Sequence, residues 1–330
     1  MRPFRYHRAA DVAEAVALLD GEPEAAYLAG GTNLVDLMKL GVQRPDLLVD
    51  VTGLPLDTVD TLPDGGLRIG ATVRNSDLAT HPVVRRDHPL LSRALLAGAS
   101  GQLRNMATTA GNLLQRTRCG YFQDIGKACN KREPGTGCAA RHGQNRDLAI
   151  LGWSEQCVAT HPSDLAVALA ALDAVVEMHD PGGAREIPVV ELHRTPGDHP
   201  ERETTLPRGA LITAVRVPSL PFARRCTYLK ARDRATFAFA VGSVAAALDL
   251  DGDIVRDVRL AYGAVAHRPW RAYRAEEALR GRPFSADLAA RAADAELAAA
   301  RPLPDNGFKV PLIRNLTVRA LTGLAGTVPR

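Results

Sequence analysis

Apolar and polar positions follow a helical period from Asp11 onward through VAEAVALLD, and Asp11 with Glu14 three residues later has the form of a capping box. AAYLA then predicts a short strand that runs straight into Gly30 and Gly31. TNLVDLMKLG predicts a helix and DLLVDVTGL a second strand, giving a small βα unit with glycines at its strand-to-helix turn. LDTVDTLPDGGLRIGATV predicts a hairpin about Pro63-Asp64-Gly65-Gly66, HPLLSRALLAGA a helix, and TTAGNLL a second tight turn of small residues.

The regular pattern stops at Gln115. From there to about Asp147 the chain carries Gly120, Gly126, Pro134, Gly135, Gly137 and Gly143 with few large apolar residues. A loop this long inside a domain is uncommon, and it holds too little apolar surface to order itself. A bound metal centre would supply the missing energy. LAILGWSE reads as strand-like, SDLAVALAALDA as a helix, and VVEMHD and ALITAVRVP as strands. A boundary falls after Pro218-Ser219-Leu220-Pro221. Beyond it FAVGSVAAALDL and DIVRDVRLAYGAV predict two strands about Leu250-Asp251-Gly252-Asp253, and AEEALRG, SADLAARAADAELAAA and KVPLIRNLTVRALTGL predict helices.

Composition adds little until it is localised. With 46% hydrophobic and 24% charged residues, the 330-residue chain is ordinary for a globular protein. No apolar run approaches the roughly 20 residues that span a bilayer. The N-terminus lacks the apolar stretch of a secretory signal, which places the chain in the cytoplasm, with export open only as a passenger on a signal-bearing partner. A net charge of +4 does not suggest a nucleic-acid partner. Between Arg116 and Asp147, however, seven basic residues face three acidic ones (7 − 3 = +4), as large an excess as the whole chain carries. An anionic group in or near this segment is the expectation, or an acidic docking partner.

Five cysteines, an odd number, argue against a disulfide framework. Cys119, Cys129, Cys138 and Cys157 form the pattern C-x9-C-x8-C-x18-C, without the CxxC knuckle of most structural zinc sites. Four thiolates suit zinc or an iron–sulfur cluster, and surrounding Lys and Arg would stabilise the net negative charge of either. Free cysteines in a solvated loop are the plain alternative. Cys226, in the strand-like CTYLKA, reads as core. His142 and His161 are near enough in sequence to replace a cysteine ligand, although surface or capping roles suit them as well. The turn Ala29-Gly30-Gly31-Thr32-Asn33-Leu34 offers backbone amides and a helix N-terminus to a phosphate. Thr108-Thr109-Ala110-Gly111-Asn112 is a second such turn. Neither fits GxGxxG or the P-loop, so a dinucleotide other than NAD is favoured. Lys230 and Arg232 are strand-edge charges within reach of such a ligand.

In that order, LAGGTNLVDLMKLG, RNMATTAGNL, HPSDLAVALAALDA, ALITAVRVP and YLKARDRATFAFAVGSVAAAL resemble the FAD-binding medium subunits of the xanthine dehydrogenase and aldehyde oxidoreductase family, from about Pro3 to Leu321. The insertion, QRTRCGYFQDIGKACNKREPGTGCAARHGQNRDLAILGWSEQCVATHPSD, is similar to that of the periplasmic aldehyde oxidoreductase FAD subunits, which carry an added [4Fe–4S] cluster. The resemblance implies an α+β fold: a two-part FAD-binding domain over residues 1–220 (parts about 1–55 and 56–220, insertion about 115–157), then a smaller domain, 221–330, of antiparallel sheet and helical bundle. It implies FAD held by Ala29, Gly30, Gly31, Thr32, Asn33, Leu34, Thr108, Gly111, Asn112, Asp164, Leu211 and Lys230. It also implies a cluster on Cys119, Cys129, Cys138 and Cys157. Ala110 departs from the family pattern, which has a glycine there, and puts direct contact at that position in doubt.

The implied role is electron transfer: from a molybdenum-bearing large subunit, through a [2Fe–2S] small subunit, to the flavin and an external acceptor. No general acid or base is assigned, because the cofactors carry the chemistry. Neither nucleic acid nor membrane insertion is expected. Two other readings compete. One is a hydroxybenzoyl-CoA reductase-like flavoprotein subunit with reverse electron flow; the other is a zinc-binding interaction module.

Overall fold

The N-terminal capping box forms with a one-residue displacement: Asp11 accepts from the Glu14 amide (2.8 Å), while Glu14 takes the amide of Ala10 (2.6 Å) rather than that of Asp11. The helix it starts, Val12–Gly21, links β1 (Arg5–Arg8) to β2 (Ala25–Leu28), and the helix Leu34–Lys39 leads on to β3 (Leu47–Asp50). The three strands form a parallel sheet in the order β1-β3-β2. The middle strand is buried along its length, as a parallel strand covered on both faces must be. The structure is a computed structural model and describes residues 1–326.

The predicted hairpin is β4 (Val59–Thr61) with β5 (Leu67–Gly70). With β6 (Val175–Asp180), β7 (Gly183–Pro188) and β8 (Leu211–Val217) it builds an antiparallel sheet, β4-β5-β8-β6-β7. The helices Pro89–Ala97 and Asp164–Ala171 share its core. A third sheet, β12-β11-β10-β9, comprises β9 (Cys226–Ala231), β10 (Gly242–Asp251), β11 (Ile254–Gly263) and β12 (Trp270–Arg271), all antiparallel. Side chains alternate across it. Ala245, Ala247 and Ala261 face the helix Asp164–Ala171, and Val244, Ala246 and Leu260 face a layer containing Tyr273–Leu279, Ala286–Leu297 and Lys309–Ala325. All eight residues of Asp164–Ala171 are buried, sandwiched between the two antiparallel sheets. The α+β architecture is thus the one expected.

Two local expectations need correction. LAILGWSE is not a strand: Leu148–Leu151 is buried but irregular, its amides bonding the carbonyls of Val158 and Val265 outside any ladder. TTAGNLL is more than a turn, since Thr108 caps a short helix, Thr109–Leu113, by accepting from Gly111. The cysteine-bearing insertion makes contacts both within itself and with its surroundings. Phe122, Leu148, Val158 and the buried cysteines form a small core with Leu37. Asn130 ties the amides of Gly135 and Gly137 (3.1 and 2.7 Å), and Arg132 donates to the carbonyls of Tyr121, Phe122 and Lys127. Side-chain-to-backbone bonds replace the apolar surface that the loop lacks.

Candidate functional site

The two glycine-bearing turns meet. A Cβ on Gly30 would lie 1.8 Å from the Met106 carbonyl oxygen, so only glycine lets the first turn touch the chain leading into the second. Gly31 has φ +70°, a left-handed conformation that glycine adopts without strain. The amides of Gly30, Gly31, Thr32 and Asn33 donate to no group among the described residues. In the second turn, Thr109 and Ala110 spend their amides on Val73 and Ala71 (2.9 and 3.0 Å). Ala110 is therefore already bonded inward, which is why alanine serves there. Gly111 makes only a long bond, 3.3 Å to Thr108 Oγ1.

Both turns line a two-lobed cleft. The larger lobe, about 460 Å³, runs between the parallel sheet and β8, past Ala29 to Leu34, Thr108, Gly111 and Leu211. The second, about 200 Å³, joins it at Thr32, Asn33 and Gly111 and continues past Asn112 and Asp164 to Phe237 and Phe239. Lys230 lies outside both lobes. Its ammonium sits 2.7 Å from Asp164 Oδ2 and 3.0 Å from the Ala97 carbonyl, both bonds buried or nearly so, while Tyr228 donates to Asp164 Oδ1 (2.6 Å). It acts on the cleft through Asp164. Arg232 has only a long contact to Ala97 (3.4 Å).

Sequence reasoning missed two contributors, Thr72 and Asn75. Thr72 Oγ1 and Asn75 Oδ1, together with Nδ2 of the expected Asn33, line the cleft, are buried, and have no hydrogen-bond partner among the described residues. Buried polar atoms are nearly always paired, so these three suit a polar ligand: the four free amides, Asn33 Nδ2 and Thr72 Oγ1 can donate to its anionic groups, and Asn75 Oδ1 can accept from a donor on it. Thr72 and Asn75 follow β5 in a stretch with no glycine or periodic signal to mark them.

Cys119, Cys129 and Cys157 are buried and Cys138 half-buried, all in one small core. Cys129 and Cys138 face each other as an isolated antiparallel bridge. Burial pushes the Cys119 thiol up to about 11. The hydrogen bond with Cys157 brings Cys138 down to about 6, helped by the amides of Val158, Arg141 and Ala140, and raises Cys157, which keeps the shared proton. Among the described residues, no three His, Cys, Asp or Glu side chains stand as a single metal ion requires. The basic excess is largely spent internally. Arg141 pairs with Glu155, Arg146 with Asp233, and Arg116 and Lys131 with Glu203 (2.9 and 2.8 Å). Burial would raise Glu203, but Lys131 and Arg116 outweigh it and hold the carboxyl at about 2.

His161 is no ligand; its ring tilts against His193, centroids 4.0 Å apart. Burial lowers His193 from 6.5 to about 4. A base depressed in the folded state binds its proton more readily when unfolded. Stability is therefore full above about pH 6.5 and falls as pH drops toward 4, by about 3 kcal/mol from His193 alone. Urea unfolding across this range should show the loss, and H193Q should flatten it.

The chain's relatives agree with this geometry. Residues 2–220 match the family described as the FAD binding domain in molybdopterin dehydrogenase, and residues 227–324 match the CO dehydrogenase flavoprotein C-terminal domain. The chain belongs to the FAD-binding medium subunits of the molybdenum hydroxylases, and is an oxidoreductase subunit. It is 50% identical to the aldehyde oxidoreductase FAD-binding subunit PaoB of Escherichia coli K12, across 97% of this chain and 98% of that one. The glyceraldehyde dehydrogenase medium chain of Sulfolobus acidocaldarius is 28% identical over 98% of both. Among solved structures, the carbon monoxide dehydrogenase of Hydrogenophaga pseudoflava lacking the Mo-pyranopterin moiety superposes with a TM-score of 0.77, at 25% identity over 99% of both chains. No helix of the described residues is long and apolar enough to cross a membrane.

Proposed function

We propose that this chain binds FAD across the two-lobed cleft and a [4Fe–4S] cluster on Cys119, Cys129, Cys138 and Cys157. Its complex would oxidise aldehydes, with electrons reaching it from a molybdenum-bearing large subunit and a [2Fe–2S] small subunit. The observation that carries the flavin reading is the run of free amides at Gly30 to Asn33 beside the cleft. Four unpaired N–H donors beside the cleft at a helix start suit a pyrophosphate, and the apolar walls at Leu206, Leu211 and Ile212 suit an aromatic ring. Thr108, Gly111 and Asn112 border it from the second turn, and Asp164, fixed by Lys230, borders the second lobe. Residues 1–220 would then be the cofactor domain and 221–330 the buttress behind it. When bound, FAD accepts and releases electrons; the protein's part is to hold it, exclude water and set the local charge.

The cluster reading rests on donor chemistry. The four cysteines share one small core, and four thiols gathered in one place are the donor set that an iron–sulfur cluster takes. Backbone amides of Tyr121, Phe122, Ala140, Arg141, Val158 and Ala159 lie near the sulfurs, an environment that favours thiolate charge. The proximity to PaoB, an aldehyde oxidoreductase subunit, favours aldehydes as the complex's substrates.

The test is composition of the anaerobically purified complex. Expected are one FAD on this chain and, here, about four iron and four labile sulfides. C138S should lose the iron and keep the flavin. Flavin without iron, even after reconstitution, would sink the cluster; zinc in place of both would sink the whole reading.

A further inference from the structure

Behind the wall of the cleft lies a smaller chamber, about 30 Å³, lined by His161, His193, His267, Lys131, Glu203 and Thr117 among others. It has room for one or two water molecules. Hydrogen bonds settle the protonation of two of its rings. The Leu113 carbonyl can only accept, and both His161 Nε2 (3.1 Å) and His193 Nε2 (2.8 Å) lie on it, so each carries its proton there. His161 Nδ1 then accepts from the Ser163 amide (3.4 Å). His193 Nδ1 remains a buried lone pair with no partner among the described residues, and neither ring nitrogen of His267 has one. An anion cannot bond a lone pair, and a neutral donor needs no counter-charge beside the Lys131–Glu203 pair. Water meets both demands.

The chamber touches both proposed cofactor regions. It shares Leu114, Glu203 and Thr204 with the larger lobe of the cleft, and Lys131, Ala159 and Thr160 come from the cysteine-bearing segment. The charged groups facing it are Lys131, Glu203, Arg194 and Arg202, with Arg116 beyond Glu203. Glu203 is pinned as a carboxylate between Lys131 and Arg116, and so is a fixed charge rather than a proton carrier. The bare lone pair of His193 is the base.

We propose that His193 Nδ1, through water shared with His267, is the proton-accepting site that offsets electrons held in the adjacent cleft. This rests on the FAD reading. Substrate oxidation supplies the electrons. For an electron left uncompensated in the cleft, one proton enters from solvent past the exposed Arg202 and bonds to the Nδ1 lone pair, giving an imidazolium. The proton leaves when the electron passes on, so net charge is conserved. A negative charge placed nearby in a low-dielectric interior favours the charged form of a base, which supplies the coupling. His193 is a positioning and charge-compensating residue; nothing requires it to touch the cofactor.

Redox-difference infrared spectroscopy of the FAD-loaded complex with isotope-labelled histidine tests this directly. Reduction should raise an imidazolium band that reoxidation removes. H193Q should abolish it, and H267Q should shift it by removing the water's second partner. Proton uptake per two electrons should fall by up to one in H193Q, with the flavin still fully reducible. A flavin that reduces with no histidine band in the unmodified protein overturns the proposal. So does a band unchanged in H193Q or, should that variant not fold, in H267Q. A protein that yields no flavin difference spectrum at all fails at the FAD reading instead, a visibly different result.

Discussion

Alanine at Gly30 should leave the purified protein nearly free of flavin. The added carbon would lie 1.8 Å from the Met106 carbonyl oxygen, a backbone atom that cannot swing aside. One turn must move away from the other, and the free amides of Gly30 to Asn33 are then displaced from their place beside the cleft. A hydrogen bond to a charged group contributes about 1.5–3 kcal/mol. Losing two of them predicts a drop in FAD affinity of about a hundredfold or more, read by fluorescence titration of the apoprotein. Gly21 is the control, since a Cβ there meets nothing within 4 Å, and G21A should keep its flavin. If G30A binds FAD as tightly as the parent, the first turn does not hold the phosphates.

The second large effect concerns Lys230. K230M should destabilise the flavin-free protein by about 3–5 kcal/mol, the usual cost of leaving a buried charge without its partner. Lys230 and Asp164 are both almost fully buried and 2.7 Å apart, and Tyr228 alone cannot neutralise the carboxylate. The double variant D164N/K230M should recover most of the loss, because a neutral amide in place of the carboxylate needs no counter-charge. Urea unfolding of the four proteins completes the cycle. A single variant within about 1 kcal/mol of the parent would mean that Asp164 finds another cation or takes up a proton.

What the sequence disclosed follows from how locally each feature is encoded. The capping residue Asp11, the hairpin at Pro63 to Gly66 and Gly31 act on their own neighbours, so short windows carry them; Gly30 is visible beside Gly31, but the Met106 carbonyl that requires it is not. The four cysteines stood out by composition, and the structure gathers them in one core. Long-range features were hidden. Lys230 looked like a strand-edge charge free to reach a ligand, because nothing in its own segment announces Asp164, 66 residues earlier. Glu203 lies in a stretch with no helical or strand period, and its importance comes from Arg116 and Lys131, far off in the chain. Leu148–Leu151 read as a strand because it is apolar, but its amide partners lie on segments that offer no ladder.

The helix Asp164–Ala171 has a consequence for how such a chain changes over time. It lies between the first half and the sheet of the second, and is alanine-rich and buried on every side. Side chains that small cannot swell to fill space left by a missing neighbour. Cutting the chain near residue 221 would bare this rod and leave the carboxylate of Asp164 without Lys230. A viable change in one half must therefore preserve its fit to the other, whereas the small core of the cysteine-bearing insertion, shared with Leu37, is separate from that seam.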